Sequence, residues 1–134
     1  MELSFTTLDV FTSTRFEGNP LAVVCVPAAL RGAVTAARKQ AVAREFHLSE
    51  TVFLHEPAGG GNDEAAATAL EMDIFTVDRE LPFAGHPTIG TAVLARHHLY
   101  PAVDTLLTKS GPIRLLPPSP PGSRAVRARI AHNV

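Results

Sequence analysis

The spacing of apolar and polar residues changes several times along the chain, and each change marks an element. Residues 3–11 alternate loosely and are rich in Thr, Val and Phe, which predicts a strand. Glu17-Gly18-Asn19-Pro20 interrupts that pattern, as Gly, Asn and Pro do. Residues 21–26 are an apolar run between Pro20 and Pro27, of the length expected for a buried strand. From 33 to 46 the period lengthens. Val34, Ala37, Ala41, Val42 and Phe46 recur at helical spacing, while Arg38, Lys39 and Arg44 fall on other faces; this predicts an amphipathic helix laid on a sheet. Residues 51–54 read as a strand, 57–63 as a Gly-rich loop, and the Ala-rich 64–70 as the tail of that loop. Met72, Ile74, Phe75 and Val77, set against Asp73 and Thr76, make 71–77 another strand.

Residues 87–95 say most about the architecture. Pro87 opens the segment, where a missing N–H does no harm, and His86 is the predicted N-cap. The body is small or apolar on every side, which predicts a helix buried all round. Gly90, Thr91, Ala92 and Ala95 let other elements come close. After Arg96-His97-His98, residues 104–109, 113–116 and 125–130 read as strands. Residues 117–122 contain a Pro-x-x-Pro spacing but read as a stiff loop between the last two strands. The predicted fold class is α+β: a curved, mainly antiparallel, open barrel-like sheet wrapped around a central apolar helix. No internal repeat or linker breaks the chain, and 134 residues suffice for one domain with its own core.

Composition narrows the function classes. With 46% hydrophobic and 19% charged residues the chain reads as folded rather than disordered. A net charge of −1 and the lack of any basic run exclude a nucleic-acid partner. Met1-Glu2-Leu3-Ser4-Phe5-Thr6 is not a signal peptide, and no stretch is apolar enough to span a membrane; a cytoplasmic protein is expected. The single cysteine, Cys25, allows neither an internal disulfide nor a thiolate zinc site. Its place in the apolar run 21–26 reads as a core position. His97 and His98 are adjacent and point about 100° apart on a helix, and His47, His55 and His132 have no ligand-spaced partners. No metal is predicted. Gly59, Gly60 and Gly61 lack the following Lys-Ser/Thr of a phosphate cradle.

Three segments together resemble one family. Asp9-Val10-Phe11-Thr12, with Phe16-Glu17-Gly18-Asn19-Pro20-Leu21-Ala22-Val23-Val24, is similar to the N-terminal signature of the PhzF-like phenazine-biosynthesis isomerases. Leu48-Ser49-Glu50-Thr51-Val52-Phe53 resembles their catalytic Ser-Glu-Thr segment. The stretch from Phe75 to Ala92, with Leu81-Pro82-Phe83-Ala84-Gly85-His86-Pro87 at its centre, resembles their longest motif. The likeness runs from about Thr6 to the chain end, where Ala128-Arg129-Ile130-Ala131-His132-Asn133-Val134 also looks familial. It implies the diaminopimelate epimerase fold: two similar domains, each a curved sheet around a helix, with the active site in the cleft between them. Residues 1–134 are then the first domain only, and the family's second domain is absent.

The resemblance gives Glu50 the role of acid/base catalyst. One carboxylate in a cleft can take a proton from an activated carbon and return it to another atom on the same face. Gly85 and His86 stand at a helix start, whose unpaired N–H groups suit a substrate carboxylate, and the family likewise places its Gly-His near substrate. Two roles are open to His86: capping the helix, and assisting proton transfer. Asn19 is a turn residue or a cleft residue, and Ser49 joins it as a substrate-binding candidate. Cysteine-dependent racemases of this fold carry a Cys where this chain has Ala84, so a two-thiol mechanism is disfavoured. Val77 stands where family members often have Pro.

The expectation is a cofactor-independent isomerase acting on a small carboxylated substrate, such as a dihydro-hydroxyanthranilate. The chain would be half of that enzyme, completed by a homodimer partner or a complementing second domain. The alternative is a non-catalytic remnant used for binding or dimerisation.

Overall fold

The computed structural model describes residues 1–57 and 66–130. The elements are β1 (Phe5–Val10), β2 (Asn19–Val26), α1 (Ala36–Phe46), β3 (Thr51–His55), β4 (Ala69–Phe75), β5 (Glu80–Leu81), α2 (Gly85–Leu94), β6 (Thr105–Thr108), β7 (Gly111–Leu116) and β8 (Arg127–Arg129). A 3-10 turn covers Ala28–Leu30, and a π turn over Ala95–Leu99 extends α2.

The strands form one curled mixed sheet, a half-barrel in the order β1-β2-β3-β4-β6-β7-β8 with β5 attached to β4. β2 and β3 run parallel, as do β4 and β6, and the other pairings are antiparallel. The parallel pairs follow from the connections. α1 crosses over between β2 and β3, and α2 lies between β4 and β6; a parallel pair needs such a crossover. β4 divides its outer edge, pairing β6 at Ala69–Glu71 and β5 at Ile74–Phe75.

Several boundaries differ from the sequence reading. Val34 precedes the first long helix rather than opening it, because the Thr35 hydroxyl accepts the Arg38 amide at 3.3 Å and caps α1 there. β2 starts at Asn19, so Asn19-Pro20 belongs to the strand and not to the break. Pro20 is tolerated because β2 pairs only with β1 at that point, its pairing with β3 starting at Ala22. Ala69 and Leu70, read as loop tail, open β4, which ends at Phe75 rather than Val77. The remainder of the Gly-rich loop, 58–65, and His132 lie outside the described residues.

β2, β3 and β4 are covered on both faces, and strand alternation sorts their side chains. Leu21 and Val23, Val52 and Leu54, and Leu70, Met72 and Ile74 join Ala92, Leu94 and Ala95 of the α2 segment in one core. That core also takes Val10, Leu106, Ile113 and Leu115 from β1, β6 and β7. Val24, Val26, Phe53 and Phe75 face the other way and pack with Val34 and Ala43 of the α1 segment. α2 buries Pro87, Thr88, Gly90, Thr91, Ala92 and Leu94. Gly90 lets it approach the sheet: a Cβ there would lie 2.7 Å from a Leu21 methyl and 2.8 Å from a Val10 methyl.

One charged cluster sits on the α1 face. Asp73, opposite Phe53 in the β3–β4 ladder, is 5% exposed. Its Oδ2 accepts Lys39 Nζ at 2.5 Å and His55 Nε2 at 2.7 Å, and its Oδ1 accepts Lys109 Nζ at 3.0 Å. Lys109 also donates to Glu80. His55 Nδ1 is buried with no partner, so the ring meets Asp73 through Nε2 alone. Burial opposes the charge on Asp73, but the hydrogen bonds from His55, Lys39 and Lys109 outweigh it and hold the carboxyl well below the usual carboxylate range.

Two outcomes are expected in denaturant titrations. Gly90→Val should lower stability by about 1–3 kcal/mol through overpacking against Leu21 and Val10. Asp73→Asn should lower it by about 3–5 kcal/mol at pH 7, because Lys39 loses its buried counter-charge. The folded-state carboxyl titrates below its unfolded value, so its stabilisation is complete above about pH 4 and is lost as pH falls further. The gap between wild type and Asp73→Asn should therefore narrow as pH falls below about 4.

Candidate active site

The chain brings Glu50 to α2 by a short route. α1 stops at Phe46 because His47 adopts the left-handed conformation at φ 56°, with its amide on the Ala43 carbonyl at 3.1 Å. Leu48 and Ser49 complete the turn, and Glu50 stands immediately before β3. It is in line with Val52 and Leu54, the β3 residues that face α2.

At the other side of the site, Ala84 is extended and serves as the N-cap of α2 without a side-chain hydrogen bond. The expected cap, His86, is instead the second helical residue, and Pro87 is the third. The Ala84 carbonyl accepts the Thr88 amide at 3.3 Å, the first helical bond, and also the Thr88 hydroxyl at 2.8 Å. Pro87 still does no harm, since the first-turn amides have no helical acceptor. The amides of Gly85 and His86 are left at the open end of the helix, where partial positive charge collects.

His86 Nε2 lies 3.4 Å from Glu50 Oε2, with the two side chains 15% and 17% exposed. Both atoms are buried and neither has a hydrogen-bond partner. An imidazole and a carboxylate are thus held side by side without being locked together. The carboxylate keeps lone pairs free to take a proton, next to two amides able to hold an anion. His86 does not cap the helix, and its ring stands beside Glu50 instead.

Ser49 and Asn19 are placed less decisively. Both are exposed, and neither side chain bonds to Glu50 or His86. Asn19 pairs with Val10 at the start of β2, and alternation puts it on the Leu21 side of the sheet, the side of α2 and Glu50. The tight position in this motif is Gly18, where a Cβ would lie 2.4 Å from the Val10 carbonyl oxygen. Two concavities occur elsewhere. One of about 520 Å³ is lined by Thr7, Asp9, Arg15, Phe16 and Gly18 among others. One of about 530 Å³ lies between the N-terminal residues and α1. Neither is lined by Glu50 or His86.

Two polar features escaped the sequence reading. Asp9 Oδ2 is buried with no partner beneath the β1–β2 connection. The Asp73 cluster could have been suspected, because Asp73 alternates in phase with Phe75 and so falls on a core face. Cys25 is only partly buried, and burial together with the nearby Glu56 charge raises its thiol above the ordinary value. Among the described residues no group of three His, Cys, Asp or Glu side chains is arranged to hold a metal ion. No helix among them is long and apolar enough to cross a membrane.

Comparison with known proteins places these features in context. Residues 8–126 match the model of a family described as phenazine biosynthesis-like protein. A Pasteurella multocida protein named an uncharacterized isomerase is 42% identical over 81% of this chain and 34% of its own length. A trans-2,3-dihydro-3-hydroxyanthranilate isomerase from Pseudomonas fluorescens is 41% identical over 71% of this chain and 30% of its own. The crystal structure of a PhzF-family phenazine biosynthesis protein from Enterococcus faecalis superposes with a TM-score of 0.69 at 27% identity, covering 86% of this chain and 40% of that one. The chain thus spans about a third of the length of these two curated relatives.

The two buried carboxylates should respond oppositely to neutralisation. Asp73 is fully partnered, whereas Glu50 Oε2 is not. Glu50→Gln should therefore leave the denaturation midpoint unchanged or raise it, by up to about 1–2 kcal/mol, since an unsatisfied buried charge is relieved. A loss as large as that of Asp73→Asn would show Glu50 to be a structural group.

Proposed function

Because the chain belongs to the phenazine biosynthesis-like family, we propose that it carries the proton-shuttling half-site of an isomerase, with Glu50 as the acid/base group. The observation that supports this most is the Glu50–His86 contact of 3.4 Å at the open start of α2. A small carboxylated substrate would rest its carboxylate on the Gly85 and His86 amides. Glu50 would then take a proton from an activated carbon and return it to a second atom on the same face. The His86 imidazole, alongside the carboxylate, would orient it and adjust its charge through the cycle.

The substrate class is a dihydro-hydroxyanthranilate or a compound of similar build, the reaction for which the Pseudomonas fluorescens relative is named. A base and an acidified C–H suffice for this chemistry, so no cofactor is required. Ala84 offers no thiol at the helix start, which fits a one-carboxylate mechanism better than a thiol pair. Ser49 and Asn19 would edge the substrate, Asn19 from the β2 side.

Shuttling needs a closed site, since water competes for the proton. The second wall would come from further chain, as the greater length of the relatives allows, or from a second copy of this domain. A binding or dimerisation role without catalysis is the second reading. It is favoured by the absence of Glu50 and His86 from the walls of both concavities.

The test is deuterium incorporation into trans-2,3-dihydro-3-hydroxyanthranilate in D2O. The chain is expected to exchange above the buffer rate, slowly because one side of the site is open, and Glu50→Gln to lower the protein-dependent rate about 100-fold or more. Binding of substrate with equal exchange in wild type and Glu50→Gln would support the binding role instead.

A further inference from the structure

We infer that Asp73 is a positioning residue for the Glu50–His86 pair, acting from the opposite face of the sheet; this rests on reading that pair as the active site. The pair cannot set its own geometry. Its two facing atoms are 3.4 Å apart, and neither makes a hydrogen bond. Their separation is fixed by the backbones that carry them.

Those backbones converge on one carboxylate. Glu50 sits at the junction of α1 and β3. Asp73 holds α1 through Lys39 and β3 through His55. His86 is reached from β4 through the turn at Thr76–Arg79, β5 and Pro82. Asp73 is itself on β4, and Lys109 bridges it to Glu80 on β5. Gln40 on α1 adds a hydrogen bond from Nε2 to the Thr76 carbonyl at 2.8 Å, at the start of that same turn. Both approaches to the active pair are therefore clamped to each other behind the sheet. The contacts to Asp73 and Glu80 are charge-assisted, the kind that resists displacement.

The cluster is also matched in charge. Lys39 and Lys109 face Asp73 and Glu80, two cations to two carboxylates, and His55 adds a hydrogen bond to Asp73. It holds no spare cation for an anionic ligand and no spare carboxylate for a metal, so positioning is the function left to it. Releasing Asp73 frees α1 and the β4–β5 turn to move apart by a fraction of an ångström. Such a shift changes an unlocked pair at the helix start more than it changes the packed core.

The experiment reads His86 directly and needs no substrate. The ring proton signals of His86 are assigned by NMR in the 134-residue chain, with His86→Gln as the reference for assignment. Glu50→Gln should shift these signals, which confirms the pair. Asp73→Asn should shift them by at least half as much, although it lies on the other face. Val24→Ala, a buried change on the same face of the sheet but on β2 and outside the clamp, should not. Should Asp73→Asn fail to fold, Lys109→Met replaces it; its side chain is 55% exposed, and the expected shift is smaller in size. Unmoved His86 signals in a folded clamp variant, or an equal shift in Val24→Ala, would overturn the inference. Failure of the isomerase reading would show separately, as absent solvent exchange with the His86 response intact.

Discussion

The three central strands, β2, β3 and β4, are buried on both faces, and most of the rest depends on this constraint. An alternating chain covered on both faces must commit every residue to one helix or the other. Leu21, Val52 and Ile74 go to the α2 side, and Val24, Phe53 and Phe75 to the α1 side. A slip of one residue in any ladder would exchange these sets. The same phase sends Glu50 toward α2 and Asp73 toward α1. The chain thereby separates these two carboxylates by the thickness of a single sheet.

The two carboxylates differ in how their charge is met. Asp73 is satisfied by three nitrogen donors and holds together elements distant in sequence. Glu50 is left with a bare oxygen beside an imidazole and a helix start. Glu50 Oε2, like Asp9 Oδ2 and His55 Nδ1, is buried without a partner, and what sets it apart is its place beside His86 at the start of α2. Gly90 lets α2 lie close to Val10 and Leu21, on the face of the sheet toward which Glu50 is directed from the start of β3.

Much of this was legible in the sequence. The apolar run at 21–26, the helical spacing up to Phe46 and the all-round apolar segment after Pro87 each gave an element of the right type, since burial on both faces of β2, on one face of α1 and around most of α2 leaves a distinct pattern. The motif residues Glu50 and His86 were paired in advance by resemblance, and the structure sets them side by side. What the pattern concealed has physical causes. Parallel pairing depends on where crossovers run, which no local period records. Thr35 rather than Val34 governs the start of α1, because capping is a matter of one hydroxyl. Ala84 rather than His86 precedes the helix, because the first helical bond runs from the Thr88 amide to the Ala84 carbonyl. The Asp73 cluster joins residues up to 36 apart in sequence, and a charged residue in a core phase gives only a faint sign of it.

The reactive site is assigned to the Glu50–His86 pair at the start of α2, and not to the concavity beside Asp9 and Arg15. A crystal structure of the chain with bound 3-hydroxyanthranilate tests it most directly. The account predicts the ligand carboxylate on the amides of Gly85 and His86, with a ring carbon facing the Glu50 carboxylate. A ligand seated instead among Thr7, Asp9, Arg15 and Phe16, with Glu50 untouched, would contradict it.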